Sequence, residues 1–257
     1  MTRDEETRPI GSDAGARAIA WRHRSHALVC DVVEPWEHGT VVRCTAHPGF
    51  WDFNSVRLEA ADPGLSAEDL AGVADRALDG LRHRRVEVED EAAGRRLRPG
   101  FEALGWHASR LVWMALADPP AGPDFEEAPV ESTRELRLTW ARSEGLEISE
   151  AEFQRQADAE EDVARRRGVR ALVDGAEPTA YVLFHTDGET AEIDQVYVRS
   201  DLRGRGTGGA LVAAAARAAG AAETFIVADD DGDPKRLYRR LGFRPVWLQH
   251  EFTRRPR

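Results

Sequence analysis

The chain echoes itself, and that constrains its fold more than any other feature. The segment FEALGW at 101–106 matches YRRLGF at 238–243, an offset of 137 residues. The segment FNSVRLE at 53–59 matches IDQVYVR at 193–199, an offset of 140. Both halves run in one order: strand, helix, strand, helix, aromatic strand. A tandem duplication with small deletions explains this echo, and 257 residues suffice for one large domain or two modest ones. Residues 118–129, DPPAGPDFEEAP, hold four prolines and four acids and have the composition of a linker. The expected layout is a flexible arm over 1–20, a first domain over 21–117, that linker, and a second domain over 130–257.

Alternating and periodic stretches place the elements. In the first half, strands are expected at 26–34 and 38–46 about the turn Pro35-Trp36-Glu37, and at 51–59. Ser66 opens a helix to about Leu81, with Asp69 completing a capping box. A strand at 86–89, a helix at 97–104 and a strand at 107–117 follow. In the second half, helices at 131–144 and 150–167 precede strands at 169–174, 179–185 and 190–198. Ser149 and Glu152 form a second capping box. A helix at 206–219, a strand at 223–228, a helix started by Asp233-Pro234 and stopped by Gly242, and a strand at 243–252 complete the chain.

Residues 196–212, VYVRSDLRGRGTGGALV, pass from β-branched alternation into four glycines within six residues, then into an alanine-rich helix. Such a turn leaves amides unbonded at the positive end of a helix dipole, a ready site for an anion. Glycine also supplies the positive φ that a nest of N–H donors needs. A phosphate loop would end in Gly-Lys-Ser/Thr, which is absent. Gly204, Gly206 and Gly209 fit the dinucleotide pattern, with Asp229 twenty residues on. Two facts defeat that fit: residues 199–203 intervene between strand and first glycine, and only 28 residues follow Asp229.

The stretch resembles the GNAT superfamily of acyl-CoA-dependent N-acetyltransferases. Its pattern Arg/Gln-x-x-Gly-x-Gly/Ala is met by Arg203-Gly204-Arg205-Gly206-Thr207-Gly208. The Val-x-Val that precedes it is Val196-Tyr197-Val198, and the later Leu-Tyr and Gly-Phe are Leu237-Tyr238 and Gly242-Phe243. The resemblance covers about residues 125–254. It implies an α/β (α+β) fold of two GNAT-like domains, each a mixed, mostly antiparallel sheet with helices on both faces. It also implies acetyl-CoA as cofactor and a primary amine, of a small molecule or a protein, as acceptor.

Carried onto these residues, the resemblance puts the pyrophosphate of coenzyme A on the amides of Arg203 to Gly208. The pantetheine arm lies along Val196 and Val198, in a split between strands 190–198 and 223–228. An N–H near Val198 faces the thioester carbonyl as an oxyanion donor. Tyr238 is implied as the acid for the leaving thiolate, since a phenol near pKa 10 can share a proton with a thiol. Asp194 stands where the family often has a glutamate base. It is one methylene shorter, so base action would go through water, and Glu192 is the alternative if a bulge shifts the register. Lys235 and Arg239, one turn apart, either meet the ribose phosphate or are solvated cations.

The first half lacks these parts. It has Ala60-Ala61-Asp62-Pro63-Gly64-Leu65 in place of the glycine turn, Phe101 in place of Tyr238 and Asn54 in place of Asp194. It is expected to be a degenerate copy that shapes the cleft or packs. A formal charge of −11 argues against nucleic-acid partners. No apolar run reaches membrane length, the first residues have no signal-peptide shape, and Cys30 and Cys44 suggest no disulfide framework. A cytoplasmic protein without a metal is expected. Two rivals to acetyl transfer stay open: an acyl-CoA sensor without turnover, and a transferase of longer acyl chains.

Overall fold

The computed structural model describes residues 12–143 and 149–255; expectations for 1–11, 144–148 and 256–257 lie outside the described residues. The chain folds as two compact units. Among the described residues, the first draws on 12–113, 228–232 and 245–255, the second on 114–143, 149–227 and 233–244.

The first unit contains α1 (Ser12–Ala27), β1 (Val32–Trp36), β2 (Gly39–Arg43), β3 (Asn54–Leu58), α2 (Ala67–Ala77), β4 (Arg84–Val88) and α3 (Glu91–Ala103). It also takes β5 (His107–Leu116) as far as Trp113 and β11 (Arg244–Arg254) from Pro245. Its strand order is β1-β2-β3-β4-β11, antiparallel except for the parallel pair β3/β4. Period-two alternation splits these strands into two faces. Val56, Leu58, Val86, Val88 and Phe252 meet the apolar faces of α2 and α3, and Phe101 stacks on Phe252 at 4.2 Å. The intervening positions carry a buried ionic network on the face of α1. Arg22 of α1 reaches Glu87 at 2.7 Å, Arg85 reaches Glu251 at 2.6 Å, and Gln249 donates to Glu87 at 3.2 Å.

Several expectations change here. The supposed arm is helical from Ser12, and residues 26–27 end that helix rather than start a strand. Asp13 in its first turn and Arg24 and His26 in its last suit the dipole, but its inner face mixes Ala18 and Trp21 with charge, so no clean apolar period appears. Helix α3 starts six residues early because Asp90 caps it, accepting from the Ala93 amide at 2.8 Å. The last strand, expected in the second domain, pairs with β4 of the first unit from His250 to Arg254.

The second unit contains β6 (Glu126–Ala128), α4 (Arg134–Ser143), α5 (Glu150–Arg167), β7 (Arg170–Val173), β8 (Ala180–Thr186) and β9 (Thr190–Val198). Helix α6 (Thr207–Ala219), β10 (Glu223–Asp229) as far as Val227, and α7 (Pro234–Arg240) complete it. The order is β10-β9-β8-β7-β6, antiparallel except for the parallel pair β9/β10. Each unit thus joins antiparallel strands to one parallel pair, as a duplicated mixed α/β fold requires. Ala171, Val173, Tyr181, Leu183 and Tyr197 pack with Leu136 and Trp140 of α4 on one face. On the other face, Arg170 lies over the Phe184 ring at 4.9 Å and donates to Ala218 O of α6 at 3.0 Å. Both capping boxes form, at Ser66/Asp69 and Ser149/Glu152. The linker is partly structured, because β6 lies within it. Pro234 takes the first turn of α7 as expected, but the Asp233 side chain makes no cap bond and instead pairs with Arg236 at 3.3 Å.

Candidate active site

Strand β9 carries the site. Its ladder with β10 runs from Thr190↔Glu223 to Ile193↔Ile226 and stops there. Its ladder with β8 continues to Ala180↔Val198. Residues 194–198 therefore keep one strand edge free of a ladder partner among the described residues, as the expected split requires. The register against β8 slips at the same place: Leu183 pairs with Gln195 but Phe184 pairs with Ile193. Asp194 is the extra residue of a β-bulge, a device that re-aims a side chain. It is exposed, whereas Glu192 is only 8% exposed.

Past β9, a 3₁₀ turn at Ser200–Leu202 leads into the glycines. Gly204 and Gly206 have φ of +81° and +85°, which L side chains rarely adopt. Among the described residues, the amides of 204–209 donate to no protein acceptor, and the first bonded amide after them is Ala210, donating to Gly206 O at 3.0 Å. These bare donors stand at the start of a thirteen-residue helix, the arrangement that holds an anion. Thr207 is the first residue of that helix and Arg205 is exposed beside it. Arg203 turns away from the glycines: it donates to Val198 O at 3.0 Å and lies over the Tyr197 ring at 5.8 Å.

The turn links the strand to the helix bearing Tyr238. A Cβ on Gly208 would stand 3.4 Å from Val198 and 4.0 Å from Val196, and one on Gly209 would stand 3.1 Å from Leu237 of α7. Tyr238 follows Leu237 and is 7% exposed, and burial pushes its phenol up to about 12. It stays protonated throughout the physiological range. Lys235 is 5% exposed and Arg239 half-buried, so Lys235 is not the solvated cation that its charge suggests.

One residue that sequence reasoning passed over organises the acids. Arg167, at the end of α5, reaches Asp194 at 2.6 Å, Glu192 at 3.4 Å and the His185 ring at 3.1 Å. His185 is 2% exposed; burial and then Arg167 draw its pKa down to about 3. No motif marks Arg167, since it is one of three arginines in a row at a helix end. The first unit also assembles a group that the sequence did not single out. His23 lies 2.6 Å from Glu89 and 3.9 Å from Glu59, the latter already paired with Arg57 at 3.2 Å. Cys30 and Cys44 are buried free thiols. Among the described residues, no helix is long and apolar enough to cross a membrane.

Residues 164–245 match the family model described as an acetyltransferase (GNAT) domain. A conserved protein of unknown function from Staphylococcus epidermidis shares the fold, with a TM-score of 0.69 at 13% identity over 90% of this chain and 96% of that one. A GCN5-related N-acetyltransferase from Sphaerobacter thermophilus aligns at a TM-score of 0.47 and 19% identity, over 74% and 65% of the two chains. A tandem GNAT protein from the clavulanic acid biosynthesis pathway aligns at 0.47 and 19%, over 72% and 67%. No protein in a search of the curated proteins matches the sequence.

Proposed function

We propose that the protein is an acetyl-CoA-dependent N-acetyltransferase that acts on a primary amine. One observation carries this reading: six consecutive bare amides at a helix start adjoin a strand whose edge is released for five residues. The amides of 204–209 hold the diphosphate, with Arg205 beside them. The free edge of Val196–Val198 bonds the amide groups of the pantetheine arm as an added strand would. Acetyl-CoA supplies an activated acetyl group and a thiolate leaving group. The chain's own contribution is chiefly placement. The amide near Val198 polarises the acyl carbonyl, and Tyr238, kept protonated by burial, holds a proton for the departing sulfur. Asp194, the exposed acid at the split, faces the amine, and Lys235 and Arg239 lie on the helix beside the cofactor's ribose phosphate.

The first unit is a structural partner in this reading, without a cofactor of its own. Its parallel ladder stays closed to the end of β3, with Leu58↔Val88 paired and the Glu89 amide donating to Leu58 O at 3.1 Å. The test is thiol release from acetyl-CoA across a panel of primary amines. Cofactor binding without release for any amine would favour a sensor, and preference for longer acyl-CoA donors would favour the broader acyltransferase.

A further inference from the structure

We propose that His23, Glu59 and Glu89 bind one divalent transition-metal cation of the zinc type, which pins α1 to the ends of the parallel strands β3 and β4. The imidazole and one oxygen of each carboxylate lie within 4.8 Å of one another. The three residues stand far apart in the chain, so no ligand spacing marks them in the sequence. Strand alternation brings them together. Leu58 and Val88 pair at the end of the ladder and pack toward α2 and α3. Glu59 and Glu89, one residue further along, turn to the opposite face, where α1 lies. The main chain holds both in place. The Glu59 amide donates to His38 O at 3.0 Å, the Glu89 amide to Leu58 O at 3.1 Å, and Trp247 Nε1 to Glu89 O at 2.9 Å. His23 follows Arg22 on α1, and Arg22 is fastened to Glu87 at 2.7 Å. All three donors thus stand on fixed elements of one unit, as a metal centre needs.

Two features of the geometry suit an ion. His23 Nε2 stands 2.6 Å from Glu89 Oε1 and 3.9 Å from Glu59 Oε1. Donors on a tetrahedral zinc ion are about 3.4 Å apart, given bonds of about 2.1 Å. The two spacings bracket that value, so small side-chain rotations seat the ion. Without it, the His23–Glu89 contact is a hydrogen bond; with it, Nε2 gives its lone pair to the metal and Nδ1 carries the ring proton. The second feature is Glu59 Oε1, which is buried and accepts no hydrogen bond. Such an atom costs stability until something meets it. Arg57 Nε is 3.2 Å away but makes no hydrogen bond to it, so a lone pair stays open. Arg57 also decides the class of ion. Its charge opposes a cation held by electrostatics alone, which disfavours Mg²⁺ and Ca²⁺ with their preference for oxygen cages. An ion that bonds strongly to imidazole is favoured. Water completes the coordination, since His23 and Glu59 are only half-buried.

The experiment titrates Zn²⁺ by calorimetry into the full chain stripped with EDTA, beside His23→Gln, Glu59→Gln and a Mg²⁺ titration of wild type. Wild type is expected to take up one Zn²⁺ per chain. Each variant should lose about 100-fold in affinity, the upper end of what even a ligand-orienting residue is worth. Tm should rise with Zn²⁺ in wild type and stay level in His23→Gln. X-ray absorption at the zinc edge should show nitrogen and oxygen neighbours at about 2.1 Å and no sulfur at about 2.3 Å. The proposal is overturned by any of four results: no Zn²⁺ uptake, affinity unaltered in His23→Gln, Mg²⁺ bound as tightly as Zn²⁺, or sulfur neighbours, which would put the ion on Cys30 or Cys44. If His23→Gln does not fold, Glu59→Gln, at a side chain 28% exposed, carries the comparison, and unaltered affinity there overturns the proposal equally. The outcome is independent of thiol release from acetyl-CoA, which tests the second unit.

Discussion

Ile193 pairs with Ile226, and no later residue of β9 has a partner in β10. In the first unit the parallel ladder runs on to Leu58, which matches Val198 in the repeat and pairs with Val88 at the strand end. One duplicated topology thus gives one open and one closed parallel pair. The open pair lies beside four glycines within six residues, two of them at positive φ; the closed pair lies beside a turn with Pro63 and the single glycine Gly64. Calorimetry should therefore find one coenzyme A per chain. Gly206→Ala has open space for its Cβ, so its cost is conformational: about 1–2 kcal/mol to hold a left-handed L residue. The turn relaxes when empty and must be restored on binding. Affinity for coenzyme A should fall about tenfold, since 1.4 kcal/mol is a factor of ten, with little change in Tm.

Tyr238→Phe removes a proton source and leaves the ring. The ring packs against Phe243 at a centroid distance of 6.1 Å, so the fold should hold. If the phenol protonates the leaving sulfur, kcat should drop by about 10², while coenzyme A affinity stays within about twofold of wild type. Full activity in the variant would take Tyr238 out of the reaction.

The legible and the hidden parts of the molecule differ in physical kind. Local signals could be seen in the sequence: both capping boxes and the glycine turn are written in a few adjacent residues. The duplication was visible because Phe101 and Tyr238 keep their place in matching hydrophobic frames. Features that depend on distant pairing were not. Nothing near β11 says that Phe252 will stack on Phe101, and α1 hides because its inner face bonds through charge as well as apolar surface. The bulge at Asp194 is a property of two strands at once, and Arg167 becomes meaningful only beside it.

The ionic network that receives β11 yields a stability prediction. Burial works to raise the Glu87 carboxyl, but Arg22, His26 and Arg85 together hold it well below the usual carboxylate range. Its side chain is 1% exposed. Glu87→Gln leaves Arg22 and Arg85 facing fewer anions in a buried setting, which costs about 3–5 kcal/mol for a broken buried pair. Urea unfolding should show a lower midpoint with an unchanged m-value. A loss under about 0.5 kcal/mol, the range of an ordinary surface change, would mean that the network is not holding the unit together.

Histidines set how the fold responds to acid. His185 and His250 are each 2% exposed. Burial, joined by Arg167 for the first and by Arg110, Arg98 and Arg95 for the second, draws them down to about 3 and about 4. In the unfolded chain a histidine titrates near 6.5. Between those values the unfolded state binds protons that the folded state refuses, so stability rises with pH across the interval and falls on acidification. The slope is about 1.4 kcal/mol per pH unit for each such histidine. Carboxylates titrate mostly below this window, so histidine dominates from pH 7 to pH 5, where each residue should cost about 2 kcal/mol. Denaturation midpoints measured at half-unit steps should be level above pH 7 and decline below about 6.5. His185→Gln should flatten the decline by one proton's worth. A profile in the variant as steep as in wild type would mean that His185 becomes protonated in the folded protein as readily as in the unfolded chain, and that the buried, neutral ring beside Arg167 is wrong.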